Sequence, residues 1–201
     1  MKSPVAPEPI VIIQGNPDPQ PDHFGHALAS AYVAGAREAG RDVSVIDVAR
    51  IDFPLLRTKE DYEHGTPLPA IREAQRLIGR AGHLVIIYPL WAGDMPALLK
   101  GFFEQVFRPG FCFEPEGGSR RFPKKKLKGK TARIVVTMGM PAAVYRWYFG
   151  AHSLKSLERN ILGLCGIGPV AESLIGMVEA KKKAGRENWL KRMRSFGRDG
   201  V

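Results

Sequence analysis

Cysteine is nearly absent from this chain. Cys112 and Cys165 are the only two in 201 residues, each in an apolar setting, GFCF and LGLCGIG. Two such thiols make neither a disulfide framework nor a metal cluster, so no metal site is expected and a reducing, cytoplasmic setting is. No apolar run approaches the ~18 residues of a membrane span, which argues against membrane insertion. The opening Met1-Lys2-Ser3-Pro4 leads into scattered prolines rather than an apolar stretch, so no secretory leader is expected.

Acidic residues are scarce in one half only. Residues 1–100 hold 10 Lys/Arg against 12 Asp/Glu, residues 101–201 hold 20 against 8, and the formal net charge is +10. Such asymmetry suits an anionic partner (nucleic acid, a membrane surface, a phosphorylated small molecule) and equally suits a solvated face. Against nucleic acid, the Lys/Arg runs lack interleaved aromatics and no recognised binding module appears. The remainder, 44% hydrophobic and 25% charged, is ordinary for one globular domain spanning residues 1–201.

What is present alternates between strand and helix. β-branched apolar runs at 10–13, 43–46, 84–88, 132–136 and 170–175 predict strands buried on both faces. A helix is expected over 24–39, with Ala27, Ala31, Ala34 and Glu38 on one face, Leu28 beside it and Gly40 as its stop. Asp22 is the expected cap of that helix. Another begins near Pro69 with Ile71, Ala74, Ile78 and Ala81 at helical spacing. Asp94 is expected to cap a helix that turns Leu99, Phe102, Phe103 and Val106 inward. A helix over 153–164 would bury Leu154, Leu157 and Ile161, and a last one carries Trp189, Leu190, Met193 and Phe196. Two stretches, 48–68 and 109–130, are too long for plain connectors.

Five βα units without an internal repeat predict an α/β fold, a doubly wound parallel sheet of five strands covered by helices on both faces. Right-handed crossovers leave few topologies, of which the order 2-1-3-4-5 is the first candidate. Its ligand crevice lies where the order reverses, between strands one and three. The loops after Ile13, Tyr88 and Val136 are therefore the places to look for chemistry.

The loop after Ile13 has no G-x-G-x-x-G and no G-x-x-x-x-G-K-[ST], which removes the pyrophosphate turn and the P-loop. It remains a polar segment feeding a helix N-terminus, able to take a phosphate on free N–H groups or simply to be a surface loop. After Tyr88, Trp91 stands between prolines and Gly93 at a strand's carboxyl end. That pattern suits a flat, polar-edged heteroaromatic ring, or a tryptophan packed under a loop. After Val136 come Met138-Gly139-Met140, then Tyr145 and His152, a hydroxyl and an imidazole able to stabilise charge in a redox or proton-transfer step.

With strand one followed by GNP and then FGHAL, with PLW, MPALLKGFFEQVFRPGF, VTMGMP, GAH and ILGLCGIGPV, the chain resembles the flavodoxin-like NAD(P)H dehydrogenases (quinone) of the DT-diaphorase type. The resemblance covers nearly the whole chain and is most specific over residues 89–111. It implies a flavin (FAD or FMN), NAD(P)H as co-substrate and a homodimer. By the same resemblance, Asn16, Phe24 and Gly25 fall at positions contacting the flavin phosphate and ribityl chain. Pro89, Leu90, Trp91, Ala92 and Gly93 match the segment whose backbone meets the flavin ring, and Thr137, Met138 and Gly139 match the loop along its other edge. Tyr145 matches the family's active-site tyrosine, and His152 lies about one position from its histidine. The chain departs from the family pattern in a longer first loop with Asp22 where Ser or Thr is common. It has Ala92 where an aromatic is common, implying a roomier substrate site, and Met-Gly-Met in place of a Gly-rich third loop.

The implied reaction is ping-pong: hydride passes from NAD(P)H through the flavin to a quinone or similar small acceptor. Two other roles fit the same fold. One is a flavodoxin-like electron carrier, against which the charge of +10 speaks. The other is a non-catalytic ancillary flavoprotein, as in relatives attached to potassium-efflux systems. The basic stretch 120–130 is expected to leave six of its seven charges in solvent, because no acidic residue lies nearby to pair with them. In a dimer, Arg120 or Arg121 would reach the 2′-phosphate of NADPH.

Overall fold

Short β-branched runs can satisfy their backbone only by pairing, and once paired they bury both faces. The computed structural model describes residues 8–114 and 124–201. In it, β1 (Ile10–Gln14), β2 (Val43–Asp47), β3 (His83–Pro89), β4 (Thr131–Thr137) and β5 (Val170–Ile175) form one parallel sheet in the order β2-β1-β3-β4-β5. The predicted topology holds. Alternation then divides the core: Ile10, Ile12, Val85, Ile87 and Val135 fill one face, while Val11, Ile13, Leu84, Ile86, Tyr88 and Ile134 fill the other.

The first face is closed by α1 (Phe24–Glu38) and the C-terminal helix, Lys183–Asp199. These two helices touch backbone to backbone. A Cβ on Gly35 would lie 1.8 Å from the Arg194 carbonyl oxygen, and one on Gly197 would lie 2.1 Å from that of Tyr32. Glycine at both positions is therefore a packing requirement. The buried residues of α1 are Leu28, Ala29, Tyr32, Gly35 and Ala36. The stripe through Ala27, Ala31, Ala34 and Glu38 faces outward of these, because Tyr32 supplies the large apolar anchor that the alanines cannot.

The second face carries α2 (Lys59–Glu63), α3 (Pro69–Arg80) and α4 (Ala97–Val106), with a long helical stretch after β4. That stretch runs through α5 (His152–Ser156), a π-helical run Leu157–Leu162 and α6 (Gly163–Cys165), leaving the C-terminal helix as α7. The wider π turns rotate the apolar stripe, so Leu154, Leu157 and Leu162 are fully buried and Ile161 only partly. Cys112 and Cys165 are free and buried, as expected.

Both predicted aspartate caps are displaced. α1 is preceded by His23, whose side chain makes no capping bond, and α4 by Pro96. Asp94 instead accepts from the Met95 N–H at 2.6 Å and closes a tight turn ahead of the helix. The stretch 48–68 is stitched to α4 rather than free. Buried Arg108 donates to the carbonyls of Asp61 (3.0 Å) and Gly65 (2.8 Å), and the Tyr62 hydroxyl donates to Phe107 O. Burial there pushes the Tyr62 phenol up to about 12.

Arg120 and Arg121 lie outside the described residues. Among the lysines after them, Lys124, Lys125, Lys126 and Lys128 are exposed, as expected, but several of these charges have fixed partners. Lys124 pairs with Glu114 at 2.9 Å, Lys125 donates to Gly163 O at 2.6 Å, and Lys130 donates to Gly79 O and Ala81 O at the end of α3. Glu114 supplies one acidic partner, and carbonyls at helix ends serve Lys125 and Lys130.

Candidate functional site

The three loops singled out by the sequence all leave the carboxyl edge of the sheet. The first is held by its own polar side chains. Asn16 Oδ1 accepts from Asp18 N–H, Asp18 Oδ1 accepts from Gln20 N–H, and Asp18 Oδ2 pairs with His23 Nε2 at 2.8 Å. His26 Nε2 bonds the Asp18 carbonyl. Asp18 is thus the organiser of this loop, and these bonds hold its carboxyl below the usual range. Sequence reasoning missed it because an Asp between prolines reads only as a turn residue. Gly15 lets α4 approach, since a Cβ there would lie 2.5 Å from Leu99 Cδ2. Gly25 faces the amide of buried Gln14, whose Nε2 has no partner among the described residues. Phe24 lies under the Arg186 guanidinium, 5.7 Å from its ring centre.

The second loop leaves β3 through Pro89 and Leu90. Leu90 N–H donates to Thr137 O at 2.8 Å, which ties it to the third loop. Trp91 and Asp94 then exchange two N–H···O bonds of 2.9 Å around a two-residue turn, with Ala92 at φ 47° and Gly93 at φ 82°. Both central residues are left-handed, as this turn type demands. For Ala92 that conformation costs about 1 kcal/mol. Trp91 is half exposed, not core. Its own N–H and that of Leu90 are consumed by the fold; those of Ala92 and Gly93 have no partner among the described residues.

In the third loop Thr137 and Met138 are buried, and Met138 N–H donates to Ile175 O. Gly139 is exposed, its N–H has no partner among the described residues, and a Cβ there would meet nothing within 4 Å. A π-helical run Val144–Tyr148 follows. It turns Tyr145 inward and leaves Trp147 and Tyr148 each 81% exposed, an uncommon state for large aromatics and one that marks this rim. Ala151, at φ 48°, reverses the chain into α5. Tyr145 is buried, its hydroxyl 2.7 Å from Ser153 Oγ and accepting the Leu154 N–H at 3.2 Å.

One concavity of about 310 Å³ joins the second and third loops, lined by Leu90, Ala92, Gly93, Met140, Tyr145, Phe149, His152 and Ser153. The predicted pair Tyr145 and His152 therefore share a pocket with the predicted backbone segment. Asn16, in the first loop, and Phe24 and Gly25, at the start of α1, are not among its lining residues. Met140, Phe149 and Ser153 were not singled out by sequence; Phe149 and Ser153 flank the Gly-Ala-His turn, the one signal that could have found them. A larger apolar concavity of about 370 Å³ lies between α4 and the Leu157–Leu162 run, lined by Tyr62, Phe103, Phe107 and Leu164 among others. It holds none of the candidate residues.

The N–H groups of Ala92 and Gly93, without partners among the described residues, edge the concavity of about 310 Å³ as a short backbone-lined slot. A planar ring with acceptors along its edge fits such a slot, and the flavin ring is of that kind. Near Tyr145 and Asp94 the Tyr88 hydroxyl is buried without a partner among the described residues, and burial raises its pKa, so it stays protonated.

A family model described as having the flavodoxin-like fold matches residues 8–196. An uncharacterised NAD(P)H oxidoreductase of Haemophilus influenzae is 29% identical over 157 residues, 76% of each chain. The solved NAD(P)H:quinone oxidoreductase of Methanothermobacter marburgensis superposes with a TM-score of 0.76 at 29% identity, over 96% of this chain and 97% of that one. An FMN-dependent NADH-azoreductase of Bacillus anthracis, solved with FMN, shares the fold: TM-score 0.72, 17% identity, 94% and 97% covered.

Proposed function

This chain belongs to the flavodoxin-like fold family, and from that premise we propose a flavin-dependent NAD(P)H oxidoreductase that reduces a quinone or similar small acceptor by a ping-pong route. That the protein is an oxidoreductase is supported by the relatives named as NAD(P)H oxidoreductases. The observation that carries the finer reading is the slot of free N–H groups opening onto Tyr145, His152 and Ser153.

Bound flavin would supply two-electron chemistry, taking hydride from NAD(P)H and delivering it to the acceptor. The chain's residues do the rest. Ala92, Gly93 and Gly139 would donate backbone hydrogen bonds to the ring edge, with Pro89, Leu90, Thr137 and Met138 as the floor. Asn16, on the loop pinned by Asp18, with Phe24 and Gly25 at the start of α1, would hold the phosphate and ribityl chain, and the N-terminal N–H groups of α1 suit an anion. Trp91 would flank the bound rings, and Tyr145 with His152 would stabilise developing negative charge. A homodimer, with small molecules rather than nucleic acid as ligands, completes the proposal. No helix of the described residues is long and apolar enough to cross a membrane.

The test is the absorbance spectrum of the purified protein, with the mass of any flavin released on denaturation. Binding near one flavin per chain and NADPH oxidation dependent on a quinone such as menadione are expected. A chain that neither carries nor takes up FMN or FAD overturns the reading.

A further inference from the structure

The Tyr145 hydroxyl has two partners among the described residues, Ser153 Oγ at 2.7 Å and the Leu154 N–H at 3.2 Å. A hydroxyl offers one proton and two lone pairs. The Leu154 amide can only donate, so it occupies one lone pair. What remains is the direction of the bond to Ser153. Both residues line the concavity, Tyr145 at 2% exposure and Ser153 at 8%, so a proton left over on Ser153 is less enclosed than one left over on Tyr145. The phenol is also the stronger acid of the two. Tyr145 therefore donates to Ser153, and the proton of Ser153 is the one left over. Ser153 itself lines the concavity beside Leu90, Ala92, Gly93 and Phe149.

From this count we infer that Ser153, rather than Tyr145, is the catalytic proton donor to the acceptor's carbonyl oxygen, with Tyr145 a positioning and resupplying residue behind it. The inference rests on the oxidoreductase reading above. Two-electron reduction of a quinone adds one hydride and one proton. The hydride originates from NAD(P)H and leaves an oxyanion on the acceptor. The Ser153 O–H bond breaks as its proton moves to that oxygen. The Tyr145 proton replaces it on Ser153, and after the product leaves Ser153 hands that proton back to the phenolate as it takes another from water in the emptied pocket, with the Leu154 N–H bond to Tyr145 kept throughout. His152, exposed on the same rim, borders that water. Neither Ser153 nor Tyr145 changes its covalent state over the cycle.

The experiment separates the half-reactions in the flavin-loaded protein by anaerobic stopped flow, with NADPH as reductant and menadione as oxidant, for Ser153→Ala, Ser153→Thr and Tyr145→Phe. Flavin affinity is measured on each apoprotein, and menadione binding on each oxidised protein without NADPH. Ser153→Ala should slow reoxidation by menadione about tenfold or more and remove its solvent deuterium effect. It should also weaken menadione binding, while flavin affinity and reduction by NADPH stay within about twofold. Ser153→Thr keeps the hydroxyl and should restore most of the rate. Tyr145→Phe should slow reoxidation less than Ser153→Ala and change its pH profile. Reoxidation of Ser153→Ala at the wild-type rate, a larger loss in Tyr145→Phe, or a fall in flavin affinity that accounts for the effect would each overturn the assignment. A wild-type protein that NADPH cannot reduce, or that menadione cannot reoxidise, would overturn the oxidoreductase reading itself.

Discussion

At the seam between α1 and α7, Gly35 and Gly197 stand where any side chain would strike backbone. At the rim above β3, β4 and β5, Ala92, Ala151 and Met177 adopt the left-handed conformation that glycine would take freely, at φ 47°, 48° and 56°. The seam hides its polar groups: the Arg133 guanidinium lies 3.8 Å from the centre of the Phe196 ring and donates to Ser173 Oγ. The rim turns Trp91, Trp147, Tyr148 and Phe149 to solvent and leaves N–H groups of its turns without partners among the described residues. Glycine sits where packing leaves no choice, and strain is tolerated where a ligand would be met. Local strain of this kind concentrates at functional sites, where the surrounding structure holds it in place. The seam is the stabilising region, and the rim is where the proposed site lies.

That contrast is broken most directly at the seam. Gly35→Ala or Gly197→Ala should destabilise the protein by about 3 kcal/mol or more, because the new Cβ meets a carbonyl that only helix separation can move. Urea denaturation should show the loss, with turnover per folded molecule little changed. A loss under about 1 kcal/mol would mean that the helices slide apart easily.

A second test uses pH. His83, buried on the seam face, bonds Thr131 Oγ1 through Nδ1 at 2.7 Å. Burial first, then the nearby Arg133 and Arg41 charges, lower its pKa from 6.5 to about 4. Between those values the unfolded chain binds the proton that the folded chain refuses, so stability rises with pH through this window. It falls as the pH drops from about 6.5 toward 4, by up to about 3 kcal/mol at the lower end. His83→Gln should flatten the urea midpoint between pH 7 and pH 5; an unchanged slope would place the effect elsewhere.

At the rim the expected effects are on chemistry rather than stability. Trp91→Ala should lower kcat/KM for the acceptor about tenfold. Its stability should change by less than about 1 kcal/mol, since half of the side chain is already in solvent. A loss of ~3 kcal/mol or more, as for a core aromatic, would move Trp91 from the site to the core. The smallest effect is expected at Ala92→Gly, which relieves the left-handed strain and should raise stability by up to about 1 kcal/mol. A destabilised Ala92→Gly would show that the alanine methyl packs in the folded state.

The strands were readable because a β-branched run such as Ile10-Val11-Ile12-Ile13 has one favourable place, the interior of a parallel sheet. Helix ends were less so. Asp22 and Asp94 have the chemistry of caps, yet His23 and Pro96 hold those positions; ahead of α4, Asp94 is taken up by the turn it closes with Trp91. The pairing of Lys130 with helix-end carbonyls was likewise out of reach of sequence distance, since Gly79 and Ala81 lie some fifty residues away.

By itself the sequence determined the strand order, the two-sided core and the three loops that leave its carboxyl edge, because period, length and crossover handedness are local or topological rules. Tertiary structure alone decided that Tyr145 is sealed against Ser153 and Leu154, that Ala92 and Gly93 keep their N–H groups free, and that Gly35 faces Arg194. Each of these depends on where a π-helical run, a two-residue turn and two distant helices come to rest. A hydrogen bond or a steric contact of a few ångströms is fixed only when both partners are placed in space.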